Sequence, residues 1–257
     1  MAYAWADRVV LITGASSGIG RALAVELGRR GARAGLFARR AELLEEAAEE
    51  VERAGGKALA LAGDVRDAGA VERAAARVRE TWGRVDVLVA NSGVGVITPA
   101  ATLRAEEVAE VISVNTLGAV NSVAAVLPDM LARGAGQLVA VSSLAAYRGL
   151  PKSAAYSASK AALSTFFESL RVDLRGTGVD VTVIHPGFIK TPMTSWRKGK
   201  LLFLMELDDA VQHVVRAIER RRRTYAFPWQ LALYARLGRL MPGAFYDRFA
   251  SKRSIRE

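Results

Sequence analysis

The sequence predicts an α/β fold: a doubly wound parallel sheet of about seven strands with helices on both faces. Three observations carry this. Short runs rich in β-branched residues, such as Val9–Thr13, Gln137–Val141 and Asp180–Ile184, read as strands buried on both faces. Segments with helical spacing of apolar residues alternate with them, and turns rich in glycine or serine follow several strand ends. At 257 residues the chain is long enough for one such domain with a full core, so 1–257 is expected to be a single unit.

Composition narrows the classes. Apolar residues make up 51% and charged residues 24%, an ordinary globular balance, and no run approaches the ~20 apolar residues of a membrane span. The N-terminus lacks a basic flank followed by an apolar core, so no secretory signal is expected. With no cysteine there is no disulfide, thiolate metal site or thiol nucleophile, and a cytoplasmic location is the default expectation. His185 and His213 have no ligand-spaced partners, so no metal site is expected. The net charge is +10, and residues 190–257 hold +9 of it, fifteen Lys/Arg against six Asp/Glu. Such a region suits an acidic ligand or an anionic surface, but no nucleic-acid-binding motif accompanies it.

The first strand, Val9–Thr13, runs into Gly14-Ala-Ser16-Ser17-Gly18-Ile19-Gly20, and helical spacing follows at Leu23, Val25 and Leu27. In a strand-turn-helix context the first glycine permits the turn, the second lets backbone approach a pyrophosphate and the third allows close helix packing. The phosphate would sit at the positive end of the helix. The string Thr-Gly-Ala-Ser-Ser-Gly-Ile-Gly resembles the short-chain dehydrogenase/reductase family, which implies an NAD(P)-binding Rossmann fold and a cofactor loop made of Gly14, Ser16, Ser17, Gly18, Ile19 and Gly20.

The second strand, Ala34–Ala38, ends at Arg39, where an acidic residue would otherwise bind the adenosine ribose. A guanidinium there suits a 2′-phosphate and predicts NADP(H). A charged helix over 41–54, a strand over 58–61 and the turn Gly63-Asp64-Val65 follow. The resemblance places Asp64 and Val65 at the adenine, while Asp64 as a cap for the helix beginning near Asp67 is the competing reading. A helix over 67–82 and a strand over 85–90 lead to Ala90-Asn91-Ser92-Gly93, where the family usually has Asn-Asn-Ala-Gly; Ala90 and Ser92 depart, while Asn91 and Gly93 match and form the cofactor wall by resemblance.

A helix over 105–127 contains Asn115, a polar residue that is costly among apolar neighbours unless its amide is satisfied. The resemblance assigns it a water linking Lys160 to solvent. The strand over 137–141 delivers Ser142 and Ser143 to its carboxyl end, where ligands of parallel sheets bind. Ser143 precedes Tyr156 by thirteen residues, the family's spacing for its catalytic serine. Tyr156 and Lys160 open a long helix at a separation of four, so both face one site, and a cation beside a phenol favours the phenolate. After the strand over 180–184, Pro186-Gly187-Phe188-Ile189-Lys190-Thr191 turns sharply, and by resemblance Pro186, Gly187, Ile189 and Thr191 lie along the nicotinamide.

Beyond residue 191 the chain is individual. Residues 192–207, with Trp196 and Leu201–Met205, read as an apolar cover over a substrate pocket or as a buried helix, and 192–257 as a whole as the substrate-cover and C-terminal extension. A helix over 208–220, a basic run Arg220–Arg223, a last strand near Tyr225–Phe227 and a helix over 229–241 complete the pattern, with aromatics at Phe245, Tyr246 and Phe249. On the 229–241 segment Leu231, Tyr234, Leu237 and Met241 form one stripe, which either closes the pocket, packs between subunits, or makes peripheral membrane contact through 229–249. Phe166, Phe167 and Leu170 fall on more than one face of the Tyr156 helix, which predicts a homodimer or homotetramer.

Taken with the resemblance, these residues predict an oxidoreductase exchanging hydride between NADP(H) and a small hydrophobic carbonyl or alcohol. Tyr156 would be the acid/base, with Ser143, Lys160 and Asn115 supporting it. A catalytically idle NADP(H)-binding sensor, an epimerase or dehydratase of the longer relatives, and a membrane-peripheral lipid-modifying relative are the alternatives.

Overall fold

Alternation along β1 (Val9–Thr13) divides the core into two layers. Val10 and Ile12 face a cluster shared with Leu23 and Leu27 of α1 (Gly18–Arg29), Leu44 and Val51 of α2 (Ala41–Arg53), and Val211 to Ile218 of α7 (Leu207–Glu219). Val9 and Leu11 face the other cluster. It holds Val71 and Val78 of α3 (Ala68–Trp82), Val123 and Met130 of α5 (Gly118–Arg133), and Leu163 and Phe167 of α6 (Ala154–Asp173). The strand is therefore apolar from Val9 to Ile12, as a sheet covered on both faces requires. The structure, a computed structural model, describes residues 3–195 and 201–254.

The remaining strands are β2 (Arg33–Ala38), β3 (Lys57–Ala62), β4 (Val87–Ala90), β5 (Gly136–Val141), β6 (Val179–Pro186) and β7 (Thr224–Phe227). All seven are parallel in the order β3-β2-β1-β4-β5-β6-β7, with Val10 opposite both Ala34 and Val87. Strand order reverses between β1 and β4. That switch point opens a crevice at the carboxyl ends of the strands, the end to which every candidate turn is delivered.

Several boundaries moved for identifiable reasons. The helix expected over 105–127 is α4 (Ala105–Ile112) joined to α5 through a π-helical turn, Ser113–Leu117, and it continues to Arg133. At 29 residues it is long and apolar enough by composition to cross a membrane, yet half of its most apolar stretch is buried inside the fold, against α3 and α6. The aromatic segment after Gly243 is helical, α9 (Gly243–Ser254), following α8 (Trp229–Leu240). The run Arg220–Arg223 precedes β7 at its amino end, the opposite end of the sheet from the crevice.

The three residues that predicted subunit contact pack largely inside the chain. Phe167 is fully buried, and Phe166 and Leu170 lie against the same cluster. Helical periodicity could not tell an inner from an outer partner.

Candidate active site

The turn after β1 is shaped by two glycines. Gly14 has φ +68°, and a Cβ there would stand 2.9 Å from the Cα of Ser92. A Cβ on Gly20 would come within 2.5 Å of the Gly14 carbonyl oxygen and 2.6 Å of the Asn91 amide, so the third glycine permits the packing of α1 against the turn. Asn91 Nδ2 donates to the carbonyls of Thr13 (3.0 Å) and Gly14 (3.3 Å), and Thr13 Oγ1 accepts from the N–H groups of Asn91 and Ser92 (3.1 Å each). The ends of β1 and β4 are thus tied together under the turn.

A cavity of about 440 Å³ lies over these strand ends. Gly14, Ser16, Ser17, Gly18 and Ile19 line it on one side, Arg39, Asp64 and Val65 on a second, and Asn91 and Gly93 form its floor. Ser143, Tyr156, Lys160, Pro186, Gly187, Ile189 and Thr191 line the rest. Two predicted residues stand behind it: Gly20 in the helix packing just described, and Asn115 in the π turn.

Asn115 is fully buried. Its Oδ1 accepts from Val94 N–H (2.7 Å), and its Nδ2 donates to the Val94 carbonyl (2.9 Å) and to Ser159 Oγ (2.9 Å). Both amide protons are therefore spent, which answers the cost of a polar group in an apolar helix. A Cβ on Gly93 would be 3.4 Å from both Asn115 Oδ1 and Lys160 Nζ, so the two groups flank that glycine. The π turn is the local distortion that aims Asn115 at this wall.

Lys160 is buried, with Nζ donating to the Val141 carbonyl (2.8 Å) and lying 5.9 Å from the centroid of the Tyr156 ring. Burial lowers its pKa from 10.5 to about 8. Ser143 caps the short 3₁₀ turn Leu144–Ala146 by accepting from Ala145 N–H (3.1 Å), which leaves its hydroxyl proton for another acceptor. Its neighbour Ser142 is buried and turned inward, bonded to the Lys160 carbonyl (3.0 Å) and Ser164 Oγ (2.8 Å).

At the opposite rim the Arg39 guanidinium has no hydrogen-bond or ion-pair partner among the described residues, whereas Arg40 donates to Ser16 Oγ (3.0 Å) and Ser17 Oγ (2.9 Å). Asp64 does not cap α3; Asp67 does, accepting from Ala70 N–H (3.1 Å). The Asp64 carboxylate is held by Arg66, whose guanidinium keeps its pKa below the usual carboxylate range.

The segment after β6 makes an excursion whose base is closed by hydrogen bonds from Lys190 N–H to the Met205 carbonyl and from Met205 N–H to Phe188 (3.0 Å each). Pro192, Met193 and Thr194 reach the cavity, and Leu202, Phe203 and Leu204 are exposed. Trp196 lies outside the described residues. The roles of Thr13, Arg40 and Ser159 escaped the sequence reading. Thr13, which opens the glycine string, and Ser159, inside the Tyr156–Lys160 interval, stood within motifs without being singled out.

The short chain dehydrogenase profile matches residues 8–200. The chain belongs to the short-chain dehydrogenase family. An uncharacterized oxidoreductase of Myxococcus xanthus is 47% identical over 246 residues, 95% of this chain and 97% of that protein. A 2-(R)-hydroxypropyl-CoM dehydrogenase of Xanthobacter autotrophicus is 40% identical over 195 residues, 74% of this chain and 78% of its own length. Among solved structures, a short chain dehydrogenase/reductase from Burkholderia phymatum in complex with NAD superposes with a TM-score of 0.83 at 26% identity, covering 91% of this chain and 94% of its own. Short-chain dehydrogenases are oxidoreductases that use a nicotinamide cofactor, and the cavity fits one. The Ser17 side chain does not cap α1, no acidic residue occupies that helix's first turn, and the turn's glycines leave no Cβ over it.

Proposed function

We propose that this short-chain dehydrogenase interconverts a hydrophobic carbonyl compound and its alcohol with NADP(H), using Tyr156 as the proton donor and acceptor. The observation that carries the reading is the convergence of Ser143, Tyr156 and Lys160 on the same cavity as the glycine turn and Arg39.

Bound nicotinamide supplies the hydride in reduction and accepts it in oxidation. Ser143 donates its remaining proton to the substrate oxygen and fixes it within reach of the Tyr156 hydroxyl, which protonates the oxygen as negative charge develops. Lys160 carries three protons, one spent on Val141; the other two would be available to the phenol and to a hydroxyl of the bound cofactor. Its charge favours the phenolate left after proton transfer. Asn115 spends both amide protons on Val94 and Ser159, so its support for a proton path runs through Oδ1 beside Lys160.

Arg39 would pair a 2′-phosphate. The Burkholderia relative holds NAD, so the preference for NADP(H) rests on this guanidinium, whose acidic neighbour, Asp64, is itself bonded to Arg66. Val94, Ile189, Pro192 and Met193 give the cavity an apolar side suited to a hydrophobic substrate, and the Xanthobacter relative is named for dehydrogenation of a hydroxyl group. Subunits would meet along α4–α6, where Leu117 (52%) and Val172 (68%) are exposed, to give a homodimer or homotetramer.

A panel of aliphatic, aromatic and polycyclic ketones and aldehydes, assayed for NADPH consumption, tests the reading. Turnover of an apolar member that disappears in Tyr156→Phe is the expected result. NADPH binding without turnover of any member would indicate a sensor instead.

A further inference from the structure

The stripe expected on α8 is divided by the fold. Leu231 turns inward, its Cδ2 only 2.8 Å from where a Cβ on Gly187 would stand, and Ala232 is buried. Facing out instead are Trp229, Leu233, Leu237 and Leu240, at successive spacings of four, four and three, with exposures of 70, 48, 54 and 81%. A single exposed leucine means little, but three in register with a tryptophan on one helix leave a continuous apolar ridge.

The ridge adjoins the segment that returns to Met205. Phe203 stacks on Tyr234 with centroids 6.3 Å apart and planes 25° from parallel, two residues before Met205, which bonds to Phe188 and Lys190. The ridge's electrostatics are one-sided: α8 holds Arg236 and Arg239 and no Asp or Glu. A two-fold contact between copies would set each ridge against itself and bring Arg236 and Arg239 toward their equivalents. An anionic bilayer offers both an apolar interior and the missing negative charge. A tryptophan at the helix start suits the water-lipid boundary, and the two internal arginines rule out a span.

We propose that α8, with the exposed Leu202–Leu204 beside it, is a docking surface for an anionic lipid bilayer, with α8 lying flat in the headgroup region. The inference does not depend on the catalytic reading, because binding is measured without turnover.

The test is sedimentation of the full chain with vesicles of phosphatidylcholine alone and of phosphatidylcholine with phosphatidylglycerol, at low and high salt. Binding to the anionic vesicles that weakens with salt is expected. The double variant Leu233→Asp/Leu237→Asp should abolish it, and Arg236→Gln/Arg239→Gln should weaken it about thirtyfold, the factor two headgroup charges contribute. Circular dichroism confirms that each variant is folded. Absence of binding at low salt, or equal binding by wild type and both folded variants, overturns the proposal. So does light scattering that shows a wild-type oligomer dissociated by Leu233→Asp/Leu237→Asp, with no vesicle binding by either protein.

Discussion

Arg148 Nη1 donates to the Gly238 carbonyl at 2.6 Å and to the Met241 carbonyl at 2.5 Å, so the loop that begins at Ser143 closes the carboxyl end of α8. The same guanidinium lies 4.0 Å from the centroid of the Tyr246 ring, and Tyr246 hydroxyl donates to the Gly149 carbonyl. One side chain supplies the helix with the terminal donors it lacks and holds the C-terminal extension against the candidate catalytic loop.

Removing that contact should free the extension locally. In Arg148→Ala, two charge-assisted hydrogen bonds worth about 2 kcal/mol together are lost, so amides of α8 and α9 should exchange about thirtyfold faster. Exchange in β1 and β5 should be unchanged. Hydrogen exchange read by mass spectrometry checks both.

Tyr156→Phe should lower kcat by about 10²–10⁴-fold, the usual cost of a deleted acid, while leaving the dissociation constant for NADPH within a factor of about two. Lys160→Ala should damage both quantities. Comparison of kcat with cofactor affinity by fluorescence titration separates the two effects.

The adjacent serines should behave differently because their hydroxyls are differently engaged. Ser143→Ala should reduce kcat by about 10²–10³-fold with little change in stability, since it removes a donor to the developing oxyanion. Ser142→Ala deletes buried bonds to the Lys160 carbonyl and Ser164, and should lower stability by about 1 kcal/mol. Its steady-state rate should change by less than about fivefold. Urea denaturation and kinetics on both variants give the contrast.

NADPH should bind at least tenfold more tightly than NADH, from charge-assisted hydrogen bonds worth about 1.5–3 kcal/mol between Arg39 and the 2′-phosphate. Arg39→Asp should reverse the order. Equal affinities for the unmodified protein would refute the cofactor assignment.

Lys160 makes stability depend on alkaline pH. Its folded pKa is about 8 against an unfolded 10.5, so between these values the unfolded chain binds more protons and stability rises with pH. The gain approaches about 3 kcal/mol above pH 10.5 and is lost as pH falls through 8. Denaturation midpoints for wild type and Lys160→Met across this window should converge at the acid end in slope, with the rise absent from the variant.

The motif residues were legible in the sequence because their chemistry is local. The glycine turn depends on backbone freedom at adjacent positions, the Tyr156–Lys160 pair on one helical turn, and Ser143 and Pro186 on standing at strand ends. Periodicity also announced the buried strands of a doubly covered sheet. It could not say which apolar faces meet, so Phe166 and Phe167 pointed to a partner subunit but pack inside the chain, and Leu231 was grouped with Leu237 although the two face opposite ways. The satisfaction of Asn115 by Val94 and Ser159, the tying of Asn91 to Thr13, the clamp of Arg40 on Ser16 and Ser17, and the latch of Arg148 on Gly238 join residues 21 to 90 positions apart. Such pairs leave no periodic trace, because a donor and its acceptor meet only after strand order and helix packing have brought distant segments together. Local propensity determined where the chemistry-bearing groups stand along the chain; the tertiary structure alone decided which of them touch, and which face of α8 is left to solvent.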